Sequence, residues 1–310
     1  MASLSSQWPD ILDPTFRTIY GDQLKQLNTK YQDIFNMGTS KKNIEKDSSA
    51  SGLSRLVPRA ENAAITYEDE NEGYRVTYTH GTFSSGTSVS RQLMEDDQFN
   101  VISRKPSNLA KAKLRTMEQF GADIFNFGFT SGGGGTSPFT GGDAVALFSS
   151  AHTRTDGGSN QSNTTTMDLA EDSLEVATVT MRATLDDKGQ LVVVTPDTLL
   201  IPPALEKEAR ILMNSQGRPG TENNDTNVYK GLLNIITWDY LGSAAGGSDT
   251  AWFILDKSLT LLNWFNRSDH GLEGPYTDFD SKVAKWTVDV RWSAGWSDWR
   301  GVYGSKGDNS

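Results

Sequence analysis

The chain has 310 residues, 36% of them hydrophobic, with 8 Trp, 9 Tyr and 13 Phe. That is enough apolar material for a packed core and excludes wholesale disorder. Its 29 Lys and Arg against 39 Asp and Glu leave a net charge of −10, which argues against a general nucleic-acid binder, because such a protein needs a basic face to release phosphate counterions. Cysteine is absent and the three histidines, His80, His152 and His270, are scattered. Disulfides, thiolate nucleophiles and iron–sulfur sites are therefore excluded, and a multi-histidine metal site or a His-based triad is not expected.

The opening residues Met1–Pro9 lack a basic stretch followed by an apolar run, so no secretory leader is expected. No segment approaches the ~18 consecutive apolar residues of a membrane helix. Residues 10–37 predict a helix capped by Asp13, with Pro14 at its first position and Gly38 beyond its end. Leu12, Phe16, Tyr20, Leu24, Leu27, Tyr31 and Ile34 form its apolar stripe. Residues 38–59 are small, polar and aperiodic, the composition of a flexible link. A striped helix on such a link is expected to act as an arm that docks on a neighbouring copy.

Residues 62–91 read as a projecting hairpin, in which Tyr74, Val76 and Tyr78 alternate with Arg75, Thr77 and Thr79 beside the acidic run 68–72. A long helix follows from Pro106 to about Phe127, with Ala110, Leu114, Met117, Gly121 and Ile124 on one face. The run from Ser131 to Gly142, rich in glycine, ends it. A short strand is expected at Ala144–Phe148. An Asx-type capping box at Asp168–Glu171 then opens a helix to about Leu185. Leu191–Thr195 and Leu199–Ile201 read as buried strands, and Pro202–Pro203 starts a helix over Ala204–Asn214. The remainder predicts strands at Gly231–Tyr240, Thr250–Asp256 and Lys285–Ser293. The last of these sets Trp286, Val288, Val290 and Trp292 against Thr287, Asp289 and Arg291. The class is α+β, without a regular βαβ repeat.

Chemistry is hard to find in this pattern. There is no Gly-x-Ser-x-Gly elbow and no Gly-Lys pair for a phosphate-binding loop, and the Gly132–Gly135 run fails the dinucleotide fingerprint. Asp186-Asp187 reads as a solvated turn, Glu95-Asp96-Asp97 as surface or interface charge, and the four Asn-x-Ser/Thr sequons as chance in a chain rich in these residues. Trp252, Trp264, Trp286, Trp292, Trp296 and Trp299 all lie after residue 250. With a carboxylate pair they could line a sugar cleft, so a carbohydrate-active enzyme is one alternative; a sheet core is the other reading of the same residues. No catalytic residue, cofactor or metal is expected.

The order of elements narrows the choice, and so do Leu191–Ala209, Tyr229–Leu241, Thr250–Asp256 and the strand from Lys285 to Trp292. Over nearly its whole length the sequence resembles a tailed-phage major capsid protein of the Hong Kong 97-type fold, most closely the major head proteins of prophage-like elements. The resemblance implies an N-terminal arm over 1–61, an extended E-loop hairpin over 62–91 and a peripheral domain over 92–165. Within the peripheral domain it implies a spine helix at Ser107–Phe127. It further implies an axial domain over 166–272 and a return to the peripheral sheet over 273–310.

The expected interface residues are Phe16, Tyr20, Leu24, Leu27 and Tyr31 on the arm, and Tyr74, Arg75, Val76, Tyr78 and Arg91 on the hairpin. The implied function is assembly into hexameric and pentameric capsomers of an icosahedral head, made in a bacterial cytoplasm around double-stranded DNA held without sequence-specific binding. A portal and a decoration protein are implied partners, and no membrane is. A separate scaffolding protein is expected because only about fifty residues precede the hairpin. With no lysine between Ala60 and Val101, a lysine–asparagine cross-link from the hairpin is not expected. A nanocompartment shell of the encapsulin type is the alternative within the same fold.

Overall fold

Helix α1, Trp8–Gln26, starts earlier than Asp13 because Pro9 also suits a first turn. In the computed structural model, which describes residues 8–50, 52–65, 67, 72–96, 100–132, 141–217, 225–278, 281 and 283–308, Asp13 is no cap: it pairs with Arg17 at 2.6 Å and accepts from Trp286 Nε1 at 3.3 Å. Of the features named above, most of the acidic run (68–71), Asp97, most of the glycine run and Asn224 lie outside the described residues.

The single helix expected over 10–37 divides. After α1 come a short helix α2, Tyr31–Ile34, and strand β1, Asn36–Thr39, which pairs in parallel with β9, Leu262–Asp278. The flexible link expected over 38–59 is thus partly strand, and it continues as β2, Ile44–Ala50. β2 pairs antiparallel with β3, Glu72–Thr79, from Ile44 opposite Thr79 to Ala50 opposite Glu72. β4, Gly81–Ser90, follows β3 directly but pairs with β10, Val283–Trp296. The hairpin expected over 62–91 is therefore not one. Its two strands take different partners, and the two-stranded ribbon is β2 with β3.

Helix α3, Arg91–Asp96, leads to α4, Val101–Asn126, whose 26 residues span ~39 Å. Ala144–Phe148 is irregular, although Ala146, Leu147 and Phe148 are buried. After β5, Thr164–Thr165, helix α5, Glu171–Arg182, is capped by Ser173 and not by Asp168: Ser173 Oγ accepts from the Ala170 N–H and donates to the Ala170 carbonyl, each at 2.9 Å. The strand expected at Leu191–Thr195 is also absent, and Val193 is 82% exposed. β6, Thr198–Ile201, is followed by a short 3-10 turn at Pro203–Leu205 and α6, Glu206–Asn214. β7, Asn234–Thr237, covers only the middle of the strand expected there. β8, Trp252–Leu255, and β11, Val302–Ser305, complete the set.

Two sheets organise these elements, one of four strands ordered β1-β9-β10-β4 and one of five ordered β5-β11-β8-β6-β7. The boundary expected at residue 272 is displaced by this topology. β9 lies beside β10 in the four-stranded sheet, and β11 returns to the five-stranded one beside β8. The two cores meet across β6 and β8. Leu199, Ile201, Trp252 and Ile254 point into a cluster with Leu174, Met181, Leu212 and Tyr303. Leu200, Phe253 and Leu255 point the other way, into the cluster of α1, α4 and the tryptophans of β9 and β10. Strands covered on both faces read as continuous apolar runs, as Trp252-Phe-Ile-Leu does.

Candidate assembly interface

The β2–β3 ribbon is fixed to the body by side chains at its base. On β3, Val76 and Tyr78 are buried while Arg75, Thr77 and Thr79 are exposed, the alternation a half-covered strand requires. The Tyr78 hydroxyl lies 2.6 Å from Ser297 Oγ, and Ser297 in turn donates to Asp47 of β2. Asn263 Nδ2 donates to both hydroxyls. Burial pushes the Tyr78 phenol up to about 12. Beside this group, His80 occupies the crossing from β3 to β4, between Ser40 Oγ at 3.1 Å and Ser293 Oγ at 3.0 Å. Burial, helped by the Arg291 charge, holds its imidazole below the ordinary value. Gly142 must be glycine here: a Cβ would stand 2.7 Å from Tyr74 Cβ.

Beyond this base the ribbon changes character. Leu53, Leu56, Val57, Ile65 and Tyr67 are 58%, 99%, 71%, 57% and 87% exposed. Five large apolar side chains in water within fifteen residues form an exposed patch of the kind that marks an interaction site. Among the candidate interface residues expected from sequence, none belongs to this patch. Their signal was weak, because apolar residues without a period name no helix face or strand face.

The expected arm residues lie elsewhere. The Phe16 ring packs on Trp286 at 4.5 Å, Tyr31 packs on Trp264 at 4.7 Å, and Phe16, Tyr20 and Tyr31 are all buried in this chain's own core. Leu24 is packed against the same core and Leu27 is half-buried. The expectation that this stripe covers a neighbour is corrected: α4 and the tryptophan face of the four-stranded sheet already supply its partner. A stripe declares that it is buried and not by whom. On the hairpin, Val76 and Tyr78 are also covered within the chain, Tyr74 bonds Thr153 at 2.7 Å, Arg75 is exposed, and Arg91 pairs with Glu95 at 2.9 Å.

The residues weighed for chemistry are engaged within the fold. Trp252, Trp264, Trp286 and Trp292 are at most 1% exposed, Trp296 4% and Trp299 6%, so none offers a face on which a sugar could stack. Asp187, expected in a solvated turn, is buried and holds Arg300 at 3.0 Å. His152 is enclosed between Asp143 at 2.6 Å and the Trp299 ring. Among the described residues, no three His, Asp or Glu side chains gather as metal ligands, and no helix is long and apolar enough to cross a membrane.

The whole α+β arrangement recurs in known shells. The chain is similar to the capsid of cyanophage P-SCSP1u, with a TM-score of 0.58 and 14% identity over 90% of this chain and 88% of that one. It is similar to the mature capsid of bacteriophage PhiM1, with 0.57 and 11% over 91% and 87%. It is also similar to a virus-like particle from Pyrococcus furiosus, with 0.55 and 9% over 94% and 98%. At these identities the likeness establishes the fold, which is of the Hong Kong 97 type. No curated protein matches the chain. A family model described as phage capsid protein matches residues 73–305, from the second strand of the ribbon to the end of β11. The chain belongs to the phage capsid protein family.

Proposed function

We propose that this major capsid protein builds an icosahedral head from hexameric and pentameric capsomers, and that the β2–β3 ribbon, residues 44–79, is its E-loop. The observation that carries this reading is the ribbon's division into a base tied down by Asp47, Tyr78 and Ser297 and a tip that leaves Leu56, Val57 and Tyr67 in water. A patch that one copy cannot cover is accounted for if a neighbouring copy covers it. In the same reading α4 is the spine helix of the peripheral domain, built on the four-stranded sheet. The five-stranded sheet with α5 and α6 forms the axial domain. The shell encloses duplex DNA, is assembled in the host cytoplasm with a separate scaffolding protein, and carries a portal and a decoration protein. No catalytic role is proposed for any residue.

The experiment is electron microscopy of the expressed protein, beside a variant carrying Leu56→Ser, Val57→Ser and Tyr67→Ser. Wild type is expected to give closed shells. The variant is expected to keep its circular dichroism and to remain as unassembled subunits. A wild-type protein that stays monomeric at assembly concentrations overturns the proposal. Shells formed equally well by the variant overturn the role of the tip.

A further inference from the structure

The first fifteen residues of α4 carry Arg104, Lys105, Lys111, Lys113 and Arg115 and no acid, an imbalance opposite to that of the whole chain. Two of these cations are occupied: Lys105 Nζ donates to the Ser88 carbonyl, and Lys113 pairs with Asp269 at 2.5 Å. Arg104, Lys111 and Arg115 make no ion pair with any described residue. They are spaced by seven and four, so they share one face of the helix, with rises of about 10 Å and 6 Å between them.

Lys111 and Arg115 also line an open groove, together with Lys30 from the α1–α2 link, Asp239 and Tyr240. The groove holds two carboxylates. Glu118 is buried, and its two oxygens are taken by the Lys30 N–H at 2.6 Å and Trp238 Nε1 at 2.5 Å. Asp239, which is exposed, is the other. Lys30, Lys111 and Arg115 thus converge on one concavity, and Arg104 extends the charge along the helix.

We infer that this stripe is a contact for the phosphate backbone of the packaged duplex, an inference that rests on the reading of the chain as a shell around DNA. A duplex presents one negative charge per ~1.7 Å of its axis, so a stripe about 16 Å long meets phosphates in any register. An acidic peptide would instead have to match the spacing of the three cations. Arg104 and Arg115 can each grip a phosphate with two N–H groups and Lys111 with its ammonium, and contacts to phosphate carry no sequence preference. The field of these cations is local, since charges more than ~10 Å away are screened at 0.1 M salt; the net charge of −10 therefore does not cancel it. Repetition over every subunit of a shell would turn weak single contacts into a multivalent one.

The test uses full-length subunits before assembly, a short fluorescent DNA duplex and anisotropy across a salt series. Wild type is expected to bind with a salt-dependent affinity. A variant with Arg104→Gln, Lys111→Gln and Arg115→Gln is expected to flatten the log–log salt slope by roughly 2–3. A control with Lys207→Gln, Lys230→Gln and Lys257→Gln removes the same charge from exposed positions elsewhere and is expected to leave the slope unchanged. Circular dichroism confirms that both variants fold. An unchanged slope in the stripe variant overturns the inference, and so does binding of polyglutamate where the duplex does not bind. Electron microscopy of the same samples reports separately on the shell: stripe-dependent DNA binding by a protein that forms no shell would support the site and overturn the shell reading.

Discussion

Glu118 sits in the second half of α4 with both carboxylate oxygens committed, one to the backbone of the α1–α2 link and one to the Trp238 indole. Glu118→Ala removes the acceptor for two buried donors, and a loss of about 2–4 kcal/mol is expected, read as a lowered urea midpoint. Burial is the main reason its carboxyl lies above the ordinary 4.5. Between that value and the raised one, the folded chain binds more protons than the unfolded chain, so this group's contribution to stability falls as pH rises through the interval. Glu118→Gln has no such titration. Its stability relative to wild type should therefore improve as pH is raised from 4.5, and a flat difference across that range would contradict the assignment. At the ribbon base, Tyr78→Phe keeps the ring and removes a hydroxyl bonded to Ser297. A loss of about 1 kcal/mol is expected in the same measurement.

At the scale of elements, α1 is the clearest test of how a stripe should be read. Its periodicity was plain in the sequence, as was that of β10, because each presents one regular face to a core. Its partner was not, since the same stripe suits a neighbour's surface or its own. Phe16 is 1% exposed against Trp286, so Phe16→Ala should cost about 3–5 kcal/mol, visible as a lowered melting temperature of the unassembled subunit. Deleting residues 1–37 should leave an aggregating body with lost near-ultraviolet dichroism, because it uncovers Trp264 and Trp286 together; a soluble, native-like truncation would restore the arm reading. β9 was illegible for another reason. Leu262–Asp278 contains Asn, Asp, Gly and Pro, residues that disfavour strands, and its extended form comes from twelve paired positions on β10 with register shifts that absorb the irregular residues. The exposed ribbon tip was missed because isolated apolar residues in a coil have no period to detect. The capsid architecture was legible in the order of elements and in long stretches such as Leu191–Ala209, and the ribbon's strands were mispaired because nothing local tells β3 that its partner precedes it.

At the scale of the whole molecule, redrawing the ribbon as residues 44–79 brings one lysine into it, Lys46 of β2, which is exposed. An amine attacks an amide only once burial or a neighbouring base has taken its proton, and Lys46 is exposed in this chain. Boiled shells should accordingly run as a single band near 34.0 kDa on a denaturing gel; a ladder, with Lys46 in the linked peptide, would show that a neighbour buries it. The placement of the tryptophans has an optical consequence. Trp238, Trp252, Trp264, Trp286, Trp292, Trp296 and Trp299 are all at most 6% exposed, whereas the tip carries Tyr67 and no tryptophan. Emission from these seven indoles, recorded in a Trp8→Phe background, therefore reports the state of the body and is blind to the ribbon tip. Unfolding should shift it to the red as water reaches the rings, and assembly through the ribbon tip should leave it where it was. Recorded beside light scattering, one fluorescence trace separates a variant that cannot fold from a variant that folds and cannot assemble.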